Sequence, residues 1–185
     1  MKKNIFLLLI IHTVLFSAIT ETSVGIYEFW RESAEDNVLV PSQKIPKKWE
    51  KKGIVFHAFS GDTADGLLPV YCYYDKQGKD HIYSIEKLDY EYCEELELAD
   101  GIAFESGVAF YAFEEEVPGS TPVYLFYHSK KKNHRYSTDP NKKSGKNWNP
   151  KGVQFYVFHG ETSIDCNATS RGKAVRDDCG VCSEG

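Results

Sequence analysis

Two histidines carry the first hint of chemistry. His81 follows Asp80, His134 follows Asn133, and each stands two residues before a tyrosine, Tyr83 or Tyr136. An imidazole next to a carboxylate or amide can hold a ligand hydroxyl or move a proton. The same repeated placement also suits a plainer task, a ring nitrogen bonded within a hairpin to fix strand pairing. Neither histidine sits in a His-x-x-x-His or His-Glu-x-x-His run, so the roughly four converging ligands that zinc needs are not supplied. No metal and no other cofactor is expected. The chain also has no Gly-x-Ser-x-Gly elbow and no phosphate-cradling glycine loop. It therefore reads as a non-enzyme, with a hydrolase as the least favoured alternative.

Charge and aromatic residues supply the other candidates. Val70 to Thr121 holds 13 acidic and 3 basic residues, whereas Pro122 to Gly160 holds 8 basic and 1 acidic. The basic set is Lys130, Lys131, Lys132, Arg135, Lys142, Lys143, Lys146 and Lys151. A patch of this kind attracts an anionic polysaccharide, or else neutralises the acidic segment that precedes it. Tyr74, Tyr127, Trp30, Trp49 and Trp148 are candidate stackers for a sugar face. The candidate ligand residues are thus His81, His134, Tyr83, Tyr136, Tyr74, Tyr127, Lys130, Lys131, Lys132 and Arg135.

The elements that must position these residues repeat three times. Counting from Tyr27, Tyr71 and Tyr124, the same offsets reach Trp30, Tyr74 and Tyr127, then Asn37, His81 and His134, then Leu39, Tyr83 and Tyr136. Each unit closes on a glycine followed by an alternating run, Gly53 to Phe59, Gly107 to Phe113 and Gly152 to Phe158. Short aromatic runs joined by turn residues such as Asp75-Lys-Gln-Gly-Lys79 predict hairpins. Phe56, Phe110 and Phe155 occupy matching places in the closing strands and read as core. One such unit buries too little to stand alone, so three must share a core. The expected fold is mainly β, a pseudo-threefold module of three repeats (about 26–69, 70–121 and 122–160) within a domain over 21–160. A β-trefoil is the first choice and a small propeller-like array the alternative. Ile85, Leu88, Tyr92 and Leu96 recur at helical spacing behind Ser84, which predicts one short helix near 85–99.

The two ends have a different composition. Residues 1–20 carry Lys2, Lys3 and an apolar run from Ile5 to Phe16 before Ser17-Ala-Ile-Thr20, the pattern of a secretory signal. The run is shorter than the roughly 20 apolar residues of a membrane span, so a secreted, extracellular chain without a span is expected after cleavage. Its net charge would be −7, from 20 basic and 27 acidic residues. No nucleic-acid partner is expected of so acidic a chain. All five cysteines, Cys72, Cys93, Cys166, Cys179 and Cys182, lie beyond the signal and are disulfide candidates. Cys72 with Cys93 is one plausible bridge, two of the other three can form another, and the odd count leaves one over. Residues 161–185 form a polar Cys-rich tail, and Asn167-Ala168-Thr169 is an N-glycosylation sequon.

Val70-Tyr71, His81-Ile-Tyr83-Ser84 and Gly107-Val-Ala-Phe-Tyr111, with their third-unit counterparts, resemble a family of secreted proteins known only as a domain of unknown function. The resemblance covers about residues 26–160 and implies a fold but no activity. The first unit departs from it, with Asn37 and Leu39 where the family has His and Tyr. The tail is similar to a Cys-rich motif of extracellular adhesion and matrix proteins, carried by Asp165-Cys166, Gly172-Lys-Ala174 and Asp177-Asp-Cys179-Gly-Val-Cys182. Taken together, the sequence predicts a secreted binding module for carbohydrate at a cell surface or matrix. A structural extracellular module that presents surface to protein partners is the alternative.

Overall fold

Aromatic and β-branched side chains favour a pleated, half-buried surface, and strands form where turn residues separate such runs. The computed structural model describes residues 21–41, 48–89, 91–92, 107–142, 146–169, 175–176 and 182–183. The first unit, with the two residues that lead into it, supplies β1 (Glu21–Thr22), β2 (Val24–Arg31), β3 (Asp36–Val40) and β4 (Glu50–Ala58). The second supplies β5 (Leu67–Asp75), β6 (Asp80–Ser84), β7 (Glu91–Tyr92) and β8 (Val108–Phe113). The third supplies β9 (Thr121–His128), β10 (Asn133–Ser137) and β11 (Trp148–Val157), and the tail adds β12 (Ser163–Ile164), β13 (Val175–Arg176) and β14 (Cys182–Ser183). The fold is mainly β, with no helix among the described residues.

All pairings are antiparallel. The first unit makes a three-stranded sheet in the order β3-β2-β4, and the second and third units share one sheet in the order β10-β9-β11-β8-β5-β6, with β7 also on β5. Neither sheet closes on itself. Two short ribbons, β1-β12 and β13-β14, complete the pairing.

The helix expected near 85–99 is not what the described part of that segment forms. Residues 85–89 are bends and irregular chain, and Glu91 and Tyr92 pair with Tyr74 and Tyr73 as strand β7. Leu96 and the rest of 93–99 lie outside the described residues. The reason is visible in the pairing. In the other units one closing strand runs along the whole length of its partner, reaching Trp30↔Glu50 and Tyr127↔Asn149. In the second unit β8 covers Leu67 to Tyr71 and β7 covers Tyr73 and Tyr74. An open edge of β5 satisfies the backbone of Glu91-Tyr92 as well as a helix would, so the ladder outweighs the periodicity. Ser84 does cap, but only a turn: its Oγ accepts the Glu86 N–H at 3.0 Å, as Ser137 Oγ accepts that of Asp139 at 3.0 Å.

The closing strands make the core. Gly53, Gly107 and Gly152 have φ of 123°, 76° and 99°, a region that a Cβ makes costly. Register shifts beside them re-aim the residues that follow. Ile54 and Val153 are left at the surface, while Phe56, Phe110 and Phe155 turn inward and are buried. These three rings meet edge to face, with centroids 5.7, 6.2 and 5.7 Å apart. One layer on, Phe59, Phe113 and Phe158 do the same at 6.2, 5.9 and 6.3 Å. Backbone bridges His57↔Phe158, Phe59↔Tyr111 and Tyr156↔Phe113 tie each closing strand to the other two. Fully burying such a ring contributes roughly 1.5–3 kcal/mol each, which identifies the two triads as the main adhesive between units.

Tyrosine hydroxyls add directional links. Tyr136 Oη accepts the Tyr83 N–H at 2.8 Å and donates to the Tyr83 carbonyl at 2.9 Å, and Tyr83 Oη accepts the Leu39 N–H at 2.8 Å. The links run from the third unit to the second and from the second to the first. Leu39, at the matching place in the first unit, has no hydroxyl with which to return one.

The tail is stapled by a Cys166–Cys182 disulfide, and Cys72 is buried on β5. Cys93 and Cys179 lie outside the described residues, as do residues 1–20 of the expected signal. No helix among the described residues is long and apolar enough to cross a membrane.

Candidate functional site

The repeated histidines are placed by their hairpins. Register sets Tyr74 opposite His81 and Tyr127 opposite His134, so each imidazole tilts against a tyrosine ring, at 4.8 Å and 4.9 Å between centroids. Their polar partners come from the preceding unit. His81 Nδ1 lies 2.6 Å from Asp36 Oδ2, and its N–H donates to Asp36 Oδ1 at 3.2 Å. His134 Nδ1 lies 2.5 Å from Asp80 Oδ2, and its N–H donates to the same oxygen at 3.1 Å. Both carboxylates are fully buried. Burial holds the Asp80 carboxyl above its ordinary range, and the charge of Asp36 adds to this, while the hydrogen bonds and charge of His134 oppose it.

The two dyads differ in access. His81 is covered, with the buried Trp49 edge-on at 6.0 Å and the Arg31 guanidinium 4.8 Å over that indole. The His134 side chain is 20% exposed and opens into a cleft of about 710 Å³ between the second and third units. Tyr74, Tyr127, Gln77, Lys132 and Lys151 line that cleft with it. Asp75 and Asp89 supply its carboxylates. The ammonium of Lys151 sits 5.6 Å over the Tyr127 ring. With Nδ1 tied to Asp80, Nε2 is the nitrogen that His134 can offer to a ligand.

The turn that forms one wall is tightly built. Asp75 Oδ1 accepts the Gln77 N–H at 2.9 Å. A Cβ on Gly78 would fall 2.7 Å from Asp75 Oδ2 and 3.2 Å from the Lys132 carbonyl, so only glycine lets this turn lie against the next one. Lys79 and Lys132 both adopt positive φ, 55° and 54°, and Glu35 matches them at 53° in the first hairpin.

The structure divides the expected site residues. His134, Tyr74, Tyr127 and Lys132 come together in the cleft. Tyr83 and Tyr136 do not: they are 1% and 2% exposed, and their hydroxyls serve the core links described above. Burial also raises the Tyr136 pKa, so the hydroxyl stays protonated. His81 is buried, Lys130 is exposed on the hairpin turn, and Lys131 reaches Glu35 Oε1 at 2.6 Å. Arg135 lies by Trp30 and Trp148 instead. Asn167 is exposed, in a turn where Asp165 Oδ1 accepts the N–H groups of Asn167 and Thr169. Lys151, a member of the basic set, joins the cleft, and Gln77 is a lining residue that the sequence did not single out. Among the described residues no group of three or more His, Cys, Asp or Glu side chains is arranged to hold a metal ion.

At the third junction the dyad is replaced. Asn133 and Asn37 stand where the pattern would place an acid and a histidine, and Asn133 Nδ2 donates to the Glu35 carbonyl at 2.5 Å. Neither a curated protein nor a solved structure matches the chain. Residues 28–158, which take in the aspartate–histidine dyads, the cleft and all three closing strands, match the family described as domain of unknown function (DUF5648), and the chain belongs to that family.

Proposed function

We propose that this chain is a secreted, non-catalytic carbohydrate-binding module, with the cleft between the second and third units as its ligand seat. One observation carries the reading. Tyr127 presents a ring braced against His134, and His134 is oriented by a buried carboxylate, in an open cleft that also offers amide and ammonium groups. A pyranose has an apolar face that stacks on such a ring and a rim of hydroxyls that needs both donors and acceptors. Nε2 of His134, Gln77, Lys132 and Lys151 are the donors, and Asp75 and Asp89 the acceptors. The three converging closing strands favour a trefoil-like over a propeller-like arrangement, since a propeller blade packs whole sheets around a channel rather than meeting at single strands.

A glycan array probed with the protein from residue 21 onward tests the proposal, with Tyr127→Ala as the paired variant. Binding that the variant loses is expected. An array left blank, sulfated glycans included, would sink the reading. The Cys-rich ribbon stapled by Cys166–Cys182 favours a second reading, a structural module with protein partners. A disulfide-linked dimer on non-reducing gels, together with a blank array, would select it.

A further inference from the structure

The chain builds its histidine dyad twice and leaves it open once. Where the first and second units meet, His81 is bonded to Asp36 and tilts against Tyr74 at 4.8 Å and 43°. Where the second and third meet, His134 is bonded to Asp80 and tilts against Tyr127 at 4.9 Å and 46°. The adjoining turns match as well, since Lys79 and Lys132 hold φ of 55° and 54° at the same offset. One residue sets the two apart in access. Trp49, just ahead of β4, is 8% exposed and lies edge-on to His81 at 6.0 Å, whereas His134 faces the open cleft. The Arg31 guanidinium carbon, 4.8 Å from the indole centroid, holds that ring by cation–π attraction. Arg31 Nε is itself buried and has no hydrogen-bond partner among the described residues, a donor that packing alone leaves unsatisfied. The residue of the second unit at the offset of Trp49 is Ala103, outside the described residues, so that place supplies no indole for His134.

From this match we infer that the junction of the first and second units is a second ligand seat of the same construction, occluded by the chain's own Trp49. The inference takes its ligand class from the carbohydrate reading above. The indole stands in for a sugar, because a flat ring with an apolar surface fills the space beside imidazole and tyrosine that a pyranose takes in the open cleft. The edge of the occluded seat differs. Arg31 stands at the offset that Asp75 holds in the open cleft, so a donor replaces an acceptor, and its unpaired Nε–H offers a hydrogen bond to a sugar oxygen. With Trp49 in place the module has one open seat and holds one glycan at a time.

Proton NMR of the imidazole C–H resonances reads both seats at once, in protein from residue 21 onward. The probes are the neutral oligosaccharide that scores highest on the array and free indole. The variants are Trp49→Ala and Trp49→Ala/Tyr127→Ala. In the parent the oligosaccharide is expected to shift His134 alone. In Trp49→Ala it should shift His81 too, with the glycan bound per chain rising from one to two by titration calorimetry. In the double variant His81 should respond alone. Trp49→Leu, which keeps part of the buried apolar volume, takes the place of Trp49→Ala if that variant melts below the assay temperature. An oligosaccharide that moves His134 but never His81 overturns the inference and leaves the carbohydrate reading standing. If no oligosaccharide moves either ring, the carbohydrate reading falls and indole decides the inference. Indole that moves His81 in Trp49→Ala and His134 in the parent upholds two equivalent seats. Indole that moves His81 alone, or neither, overturns them, since it would at most be refilling the space that the tryptophan left.

Discussion

Replacing Tyr136 with phenylalanine isolates the link that joins the third unit to the second. The ring keeps its place against Phe155 and Tyr83, so the core loses one hydroxyl and no packing layer. That hydroxyl serves two backbone groups at once, the Tyr83 N–H at 2.8 Å and the Tyr83 carbonyl at 2.9 Å. Both lie in a core where Tyr83 is 1% exposed, out of reach of replacement water. Leaving a buried polar group unpaired costs about 1–3 kcal/mol, so two such groups put the loss at about 2–5 kcal/mol. For a chain of this size that lowers the melting temperature by about 5–15 °C. Urea unfolding followed by tryptophan fluorescence reads it directly, because the midpoint should fall with the slope unchanged. Tyr124→Phe, at a partly exposed position on β9, is the control and should stay within about 0.5 kcal/mol of the parent. A Tyr136→Phe midpoint as close to the parent as that control would refute the argument that the tyrosine links carry stability.

Phe110→Ala removes the ring that touches Phe56, Phe155 and Tyr83 together, and chemical denaturation should show a loss of about 3–5 kcal/mol. Asp80 holds its proton more tightly in the fold than in the unfolded chain, so its contribution to stability is full below the unfolded value of 3.8 and is lost as pH rises through the folded pKa. The stability of the parent minus that of Asp80→Asn should therefore fall as pH rises from that value, and a difference that grows instead would show that the His134 pairing outweighs burial. Gly152→Ala meets no atom within 4 Å, yet φ there is +99°; thermal melting should register a loss of about 1 kcal/mol from backbone strain alone.

The sequence by itself determined the strands and the division of labour along them. The offsets from Tyr27, Tyr71 and Tyr124 named the core rings Phe56, Phe110 and Phe155, because alternation and repetition are local properties that burial then obeys. The closing glycines were legible for the same reason, since a positive φ is a demand on one residue. What the tertiary structure decided is which repeated residues are alike in environment. Tyr83 and Tyr136 look like ligand tyrosines in the sequence, but they are swallowed by the meeting of units and spent on backbone groups of the unit before. The partners of His81 and His134 lie 45 and 54 residues away, at Asp36 and Asp80, a distance at which spacing carries no signal. Identical dyads then part ways: Trp49 lies against one, and the other opens into the cleft. The amphipathic spacing of 85–96 is a true local pattern, but an open edge on β5 claims Glu91 and Tyr92. Local chemistry set what each unit is made of, and the contact of three slightly unequal units set where a ligand can reach.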